Sequence, residues 1–277
     1  MKELAAPAVK QFAMLVRRVA LTIMMVLLAA ALAGDRMAAG SPRSTRINLP
    51  PLVLWAWDRD DDLHFVDTRD TAVAFLATTI TLRRDDIFVE PRHNSLKVPE
   101  RTRLVAVAHV ESDRSEPPAL DAVQLDRFIE VLAAIAAGIP HEVLQVDFEA
   151  LSSQRAFLVA ALDGLRRRLP DAAISVTALS SWCLNERWTG RLATDEVVPM
   201  FFRLGPDGRR IRERFAHGGD FPSASCRASL GVATDELPSV LPAGRRIYAF
   251  SPRRWTAKTY HAVRSRIPQW SYALPSD

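Results

Sequence analysis

Cysteine occurs only twice in the 277 residues, at Cys183 and Cys226, and there are 11 glycines and 3 tyrosines. Two thiols exclude a disulfide-dense scaffold and allow one bridge at most. The sparse glycines build no glycine-rich strand-to-helix turn, so the dinucleotide and phosphate-loop signatures are missing. There is no G-x-S-x-G elbow for an activated serine. His64, His93, His109, His141, His217 and His261 show neither H-x-x-x-H nor H-x-H pairing. A zinc site therefore has no support, and no metal or cofactor is expected. What remains is ordinary: 48% hydrophobic and 25% charged residues, a composition and length suited to one large α/β domain or two small ones.

The first 33 residues read as a targeting segment. Lys2, Lys10, Arg17 and Arg18 precede an uncharged apolar run from Val19 to Gly34, and Ala31-Leu32-Ala33 offers an A-x-A cleavage site. The run, of roughly 16 residues, falls just short of the roughly 17–25 of a bilayer span, which favours a cleaved signal over an uncleaved anchor. The expected location is periplasmic or extracellular, with membrane attachment only if the segment is retained. No cysteine follows the run to take a lipid. The whole chain has 36 basic and 32 acidic residues; four of the basic residues and one acidic residue, Glu3, lie in residues 1–33, which leaves the rest at +1. Arg166-Arg167-Arg168 and Arg209-Arg210 fall in helix-like stretches and read as solvated faces, so no nucleic-acid partner is expected. Residues 34–50 are small, polar and proline-bearing, and read as a linker to a single domain over 51–277.

Eight short apolar runs follow: Leu52–Trp57, Ala72–Leu82, Leu104–Val110, Val143–Phe148, Ala173–Leu179, Val197–Phe202, Ser229–Ala233 and Ile247–Phe250. Each is continuous enough for a strand buried on both sides. Helical stripes separate several of them. One carries Leu125, Phe128, Ile129, Leu132 and Ala136 and closes at Gly138; another carries Leu158, Leu162, Leu165 and Leu169 and ends at Pro170. Weaker helices are expected over Arg209–Phe215 and Thr256–Arg266. Ile87–Pro99 reads instead as a β-hairpin turning at His93-Asn94-Ser95. The pattern predicts a degenerate (β/α)8 TIM-type barrel with a β-hairpin between strands 2 and 3. An open doubly wound sheet is the alternative. In the barrel, Cys183 follows one strand and Cys226 precedes another, an arrangement that would separate them across the fold; their pairing stays open.

The stretch VLQVDFEA, Val143–Ala150, carries the chemistry. Residues two apart in a strand share a face, with Cα atoms about 6.6–7 Å apart. Gln145, Asp147 and Glu149 therefore share the inner side of the barrel, and Leu144, Val146 and Phe148 face the helices. An unpaired buried carboxylate costs several kcal/mol or protonates. The C-terminal mouth, where barrel enzymes keep their chemistry, accounts for the pair. Other strand ends carry Asp58, Glu111, Arg203, Asp235 and Glu236. Glu111 is the best placed to supply the second carboxyl, about 5–5.5 Å away, that a conventional retaining glycosidase needs. His109 shares a face with Glu111 and reads first as a hydrogen-bonded interior histidine, second as a catalytic one. Trp57, Trp182, Trp188 and Trp255 lie near strand ends; sugar stacking and plain packing both fit them, with Trp182 and Trp255 the best binding candidates.

Glu142-Val143-Leu144-Gln145-Val146-Asp147-Phe148-Glu149 resembles the fourth-strand motif D-G-x-D-x-D-x-E of chitinase-like (family eighteen type) glycoside hydrolases, with Asp147 and Glu149 on its last two acids. Asp195-Glu196-Val197-Val198-Pro199-Met200-Phe201-Phe202 is similar to that family's sixth strand, which ends in M-x-Y-D; Phe202 and Arg203 replace the last two residues. The chain also resembles a bacterial exported family known as a domain of unknown function. The hydrolase resemblance implies Glu149 as acid/base and Asp147 as its partner, with the substrate's own N-acetyl oxygen as nucleophile. The substrate-binding candidates are Gln145, Glu111, Asp58, Trp182, Met200, Arg203 and Trp255. Two functions follow: an exported hydrolase acting on a polysaccharide or cell-envelope glycan, or a catalytically inactive barrel that binds such a glycan or an envelope partner. A purely structural reading makes Asp147 and Glu149 part of an ion-pair network closing the barrel, with Arg203 or Arg253. N-terminal sequencing of the exported protein is expected to start after Ala33; an intact Met1 in the membrane fraction would identify an anchor instead.

Overall fold

The computed structural model describes residues 47–185 and 188–268; the targeting segment and most of the linker expected from the sequence lie outside them. Eleven strands form: β1 (Leu52–Ala56), β2 (Asp61–Asp62), β3 (Thr71–Arg83), β4 (Asp86–Pro91), β5 (Leu96–Lys97), β6 (Leu104–Ser112), β7 (Val143–Phe148), β8 (Ile174–Leu179), β9 (Glu196–Met200), β10 (Ser229–Ala233) and β11 (Arg246–Phe250). Strands β1, β3, β6, β7, β8, β9, β10 and β11 pair in parallel in that order, and β1 pairs with both β3 and β11. The sheet is closed. The architecture is a degenerate TIM-type barrel, and its eight strands coincide with the eight apolar runs.

Only part of the helical ring is present. Helix α1 (Ala122–Gly138) follows β6, α2 (Arg155–Arg168) follows β7, α3 (Ser180–Asn185) follows β8, α4 (Gly208–Ala216) follows β9 and α5 (Ala257–Arg264) follows β11. The Asp121 side chain caps α1 by accepting from the Gln124 N–H at 2.8 Å. Its end differs from the expected glycine stop. Gly138 is the last helical residue and is not left-handed; the chain turns extended at Ile139 (φ −122°, ψ 129°) because the following Pro140 disfavours helical geometry there. Pro170 ends α2 in the expected way, with Leu169 at φ −126°.

The hairpin is also built differently. Its first arm is the barrel strand β3 itself, its second is β4, and the two-residue turn is Arg84-Asp85, with Arg84 at φ +46°. His93-Asn94-Ser95 is not that turn. It wraps around Asp58, which accepts the Asn94 N–H at 2.9 Å and the Asn94 side-chain amide at 3.1 Å, and it leads into β5, which pairs in parallel with β2.

The period of two decides the core. Leu144, Val146 and Phe148 face outward into a cluster with Phe128, Leu132, Leu158 and Leu162. The inner faces hold Val53, Trp55, Val105, Val107, Val198 and Tyr248. At Gly231 a Cβ would sit 2.9 Å from the Trp55 ring, so glycine is what lets the indole lie across the barrel. Cys183 and Cys226 form a disulfide with Cα atoms 6.0 Å apart. They are not separated across the barrel, because only β9 lies between β8 and β10. Helix α3 folds back outside that strand, where the turn at Ala224–Cys226 also packs. Among the described residues no helix is long and apolar enough to cross a membrane.

A buried ion pair does close the barrel, at the end opposite the mouth. Glu196 accepts from Ser229, Arg246 and Tyr248 (2.7 Å), and from Ser175 at 3.2 Å; Arg246 also donates to the carbonyls of Leu49 and Pro50. Removing one member of such a pair strands the other. Glu196→Ala is expected to destabilise the domain by about 3–5 kcal/mol, measured as a lowered urea midpoint with an unchanged slope.

Candidate active site at the barrel mouth

Strands β6 and β7 are in register with His109 beside Asp147, so both side chains enter the barrel at the same height. Asp147 is 6% exposed. One of its oxygens accepts from the Thr177 hydroxyl of β8, and the other meets His109 Nδ1 at 2.8 Å. The second ring nitrogen of His109 faces Glu111 at 3.3 Å. Both nitrogens thus look at carboxylate oxygens, an arrangement suited to the doubly protonated ring. Burial alone would lower the proton affinity of His109, but the hydrogen bond and charge of Asp147, helped by Glu111, outweigh it and raise its pKa above the ordinary value.

Glu149 follows the end of β7, two residues beyond Asp147. It is exposed, yet protein walls surround its carboxyl. Their desolvation raises its pKa first, the charge of Asp147 adds to that, and His109 and Arg203 act in the opposite sense. Glu149 borders two cavities. A smaller one of about 220 Å³ is walled by Trp55, Trp57, Met200, Phe202 and Phe250, with His109, Asp147, Thr177 and Arg203 contributing. A larger open cleft of about 830 Å³ begins at His109 and Glu149 and runs past Glu111, Asp113, Arg114, Pro117, Leu120, Leu151 and Gln154.

Asp147, Glu149, Met200, Arg203 and Glu111 therefore come together, with His109 linking the buried acid to Glu111. The other sequence candidates stand elsewhere. Gln145 is fully buried below the site, where its amide accepts from Trp55 Nε1 at 2.7 Å and donates to Ser175 at 3.1 Å. Trp182 is buried outside the barrel with its ring 4.9 Å from that of Trp188, and the Trp255 indole is buried with its N–H on the Trp55 carbonyl at 2.8 Å. None of these three lines either cavity. Asp58 also stands outside both, as the acceptor that organises residues 93–94. Burial would raise its pKa, but the Asn94 and His93 donors bring it down to about 2. Asp235 does not line the cavities; Glu236 accepts the Arg203 backbone N–H at 3.0 Å and pairs with Arg212.

Sequence reasoning passed over Thr177, Trp55 and Phe250. The period-two count applied to β8 would have found Thr177, since it shares a face with Ser175. Trp55 and Phe250 become pocket walls only through ring closure. Glu149 forms no ion pair among the described residues, so the barrel-closing network anticipated around it is instead the Glu196–Arg246 pair. No group of three or more His, Cys, Asp or Glu among the described residues is arranged to hold a metal ion. Comparison of the chain with models of known families, with curated proteins and with solved structures finds no match.

The coupling has a signed consequence. Asp147→Asn removes an anion from both neighbours, so the pKa values of His109 and Glu149 should both fall, measurable by NMR titration. A histidine raised in the folded state stabilises fully below its unfolded pKa, about 6.5, and loses that contribution as pH rises through the folded value. Wild type should therefore lose stability relative to Asp147→Asn over that window.

Proposed function

We propose that this protein is an exported glycoside-hydrolase-like enzyme acting on a polysaccharide or cell-envelope glycan, with Glu149 as acid/base and Asp147 as its partner. The observation that carries the reading is the position of Glu149, a carboxyl of raised proton affinity at the junction of an aromatic-walled pocket and an open cleft. Aromatic faces suit the C–H surfaces of a sugar ring, and the cleft has room for the chain beyond it. In this reading Glu149 gives its proton to the glycosidic oxygen as the bond to the anomeric carbon breaks. Water then delivers hydroxide to that carbon and returns a proton to Glu149. Asp147, held by His109 and Thr177, raises the proton affinity of Glu149 and faces the reacting centre from below. The disulfide fits an oxidising compartment outside the cytoplasm.

A second reading, an inactive barrel that binds the glycan without cleaving it, is favoured by Phe202 and Arg203. These stand where the resembled hydrolases carry a tyrosine and an acid, so the hydroxyl and carboxyl that would grip an N-acetyl group are missing. A hydrolysis and binding screen separates the two. Under the hydrolase reading, Glu149→Gln should lower turnover by about 10²–10⁴ or more while leaving binding nearly unchanged, because the amide keeps the shape but has no proton to give. Wild-type turnover should fall as pH rises through the raised Glu149 pKa. Cleavage equal to wild type by the Gln variant would remove Glu149 from the mechanism, and binding without cleavage would favour the inactive barrel.

A further inference from the structure

We propose that the glycan is anionic, with a carboxylate or sulfate on the ring that enters the aromatic-walled pocket, and that Arg203 selects it. The inference rests on the glycan reading of the mouth given above. Arg203 follows Phe202 just past β9 and has φ +48°. Side chains other than glycine are disfavoured in that left-handed region, and strain of this kind gathers at functional sites. The backbone is held there by Glu236, whose carboxylate accepts the Arg203 N–H at 3.0 Å while pairing with Arg212. Glycine or asparagine would make the same turn with less strain.

The guanidinium lies over the Phe250 ring at 5.5 Å, and Phe250 in turn stacks on Phe202 with centroids 5.7 Å apart and planes 10° apart. This ladder fixes the direction of a long side chain at the pocket wall. Among the described residues its guanidinium has no hydrogen bond or ion pair, so its planar fork of donors is free for a ligand. The acids nearby are otherwise engaged: Asp147 by His109 and Thr177, Glu111 by His109. Among the described residues Glu149 has no hydrogen-bond or ion-pair partner, and the positive charge of Arg203 makes it a poorer proton holder. An anion seated on Arg203 cancels part of that influence. Binding the right substrate then favours the protonated acid needed for cleavage, whereas a neutral sugar leaves more of Glu149 ionised and the guanidinium without its anion.

The test reads binding without turnover, in Glu149→Gln protein, by calorimetry at about 0.15 M salt. The probes are oligosaccharides of galacturonan, alginate and carrageenan, each beside its carboxyl-reduced or desulfated form. At least one acidic probe should bind about ten- to a hundredfold tighter than its neutral form, the range of a charge-assisted bidentate contact. Adding Arg203→Ala should erase that preference, read as the ratio of the acidic to the neutral affinity. Arg203→Lys should keep only part of it, since an ammonium lacks the planar fork. Neutral forms bound as tightly as acidic ones, or a preference that survives Arg203→Ala, would overturn the proposal and leave the glycan reading standing. No binding to any acidic or neutral probe, together with no cleavage in a broad polysaccharide screen, would overturn both. Unchanged thermal melting of the Arg203 variants guards against loss of fold.

Discussion

The interior of a closed barrel holds little water, so an inward polar side chain must find its partner there. That constraint organises this molecule from one end to the other. Glu196 at the N-terminal end of the strands is matched by Arg246, Tyr248, Ser175 and Ser229. Gln145 joins Trp55 to Ser175, whose hydroxyl also reaches Glu196. Asp147, two residues further along β7, is shared by Thr177 and His109. Each acid or amide is satisfied by residues of other strands, which makes the register of the sheet and the placement of charge one problem.

Glu149 is where that chain of partners stops. It is the first residue past β7, and it opens onto solvent through two cavities. Its raised pKa arises from the same physics that keeps Asp147 paired. Low solvation disfavours a second negative charge beside the first. His109, between Asp147 and Glu111, and Arg203 temper the effect, so the proton affinity of Glu149 depends on the groups around it.

The missing helices have a compensating pattern. The connections between β1 and β3, β3 and β6, and β10 and β11 carry no α-helix. Beside β3 the chain forms the antiparallel hairpin with β4, and the small β2–β5 ladder joins the β1–β3 connection to the β4–β6 connection. On the opposite side the disulfide ties α3 to the turn before β10. Tryptophans follow the same division. Trp182, Trp188 and Trp255 fill the outer core where cover is thin, while Trp55 and Trp57 line the mouth.

Periodicity is local, and what depends on it was legible in the sequence. The eight strands, the two main helices and the inward direction of Asp147 and Glu149 follow from patterns a few residues long. What depends on ring closure was not. No spacing in the chain brings Cys183 to Cys226, sets the hairpin turn at Arg84-Asp85, or distinguishes Trp57, which reaches the pocket, from Trp182 and Trp255, which do not. The role of Glu196 was equally hidden, because an acid at the start of an apolar strand looks solvated until Arg246 of β11 is placed two strands away. Asp147 and Glu149 were recognisable as a pair from their alternation alone. Their different electrostatic states, one buried and shared, the other open and reluctant to ionise, were decided by His109, Thr177 and Arg203, which only the closed sheet brings within reach.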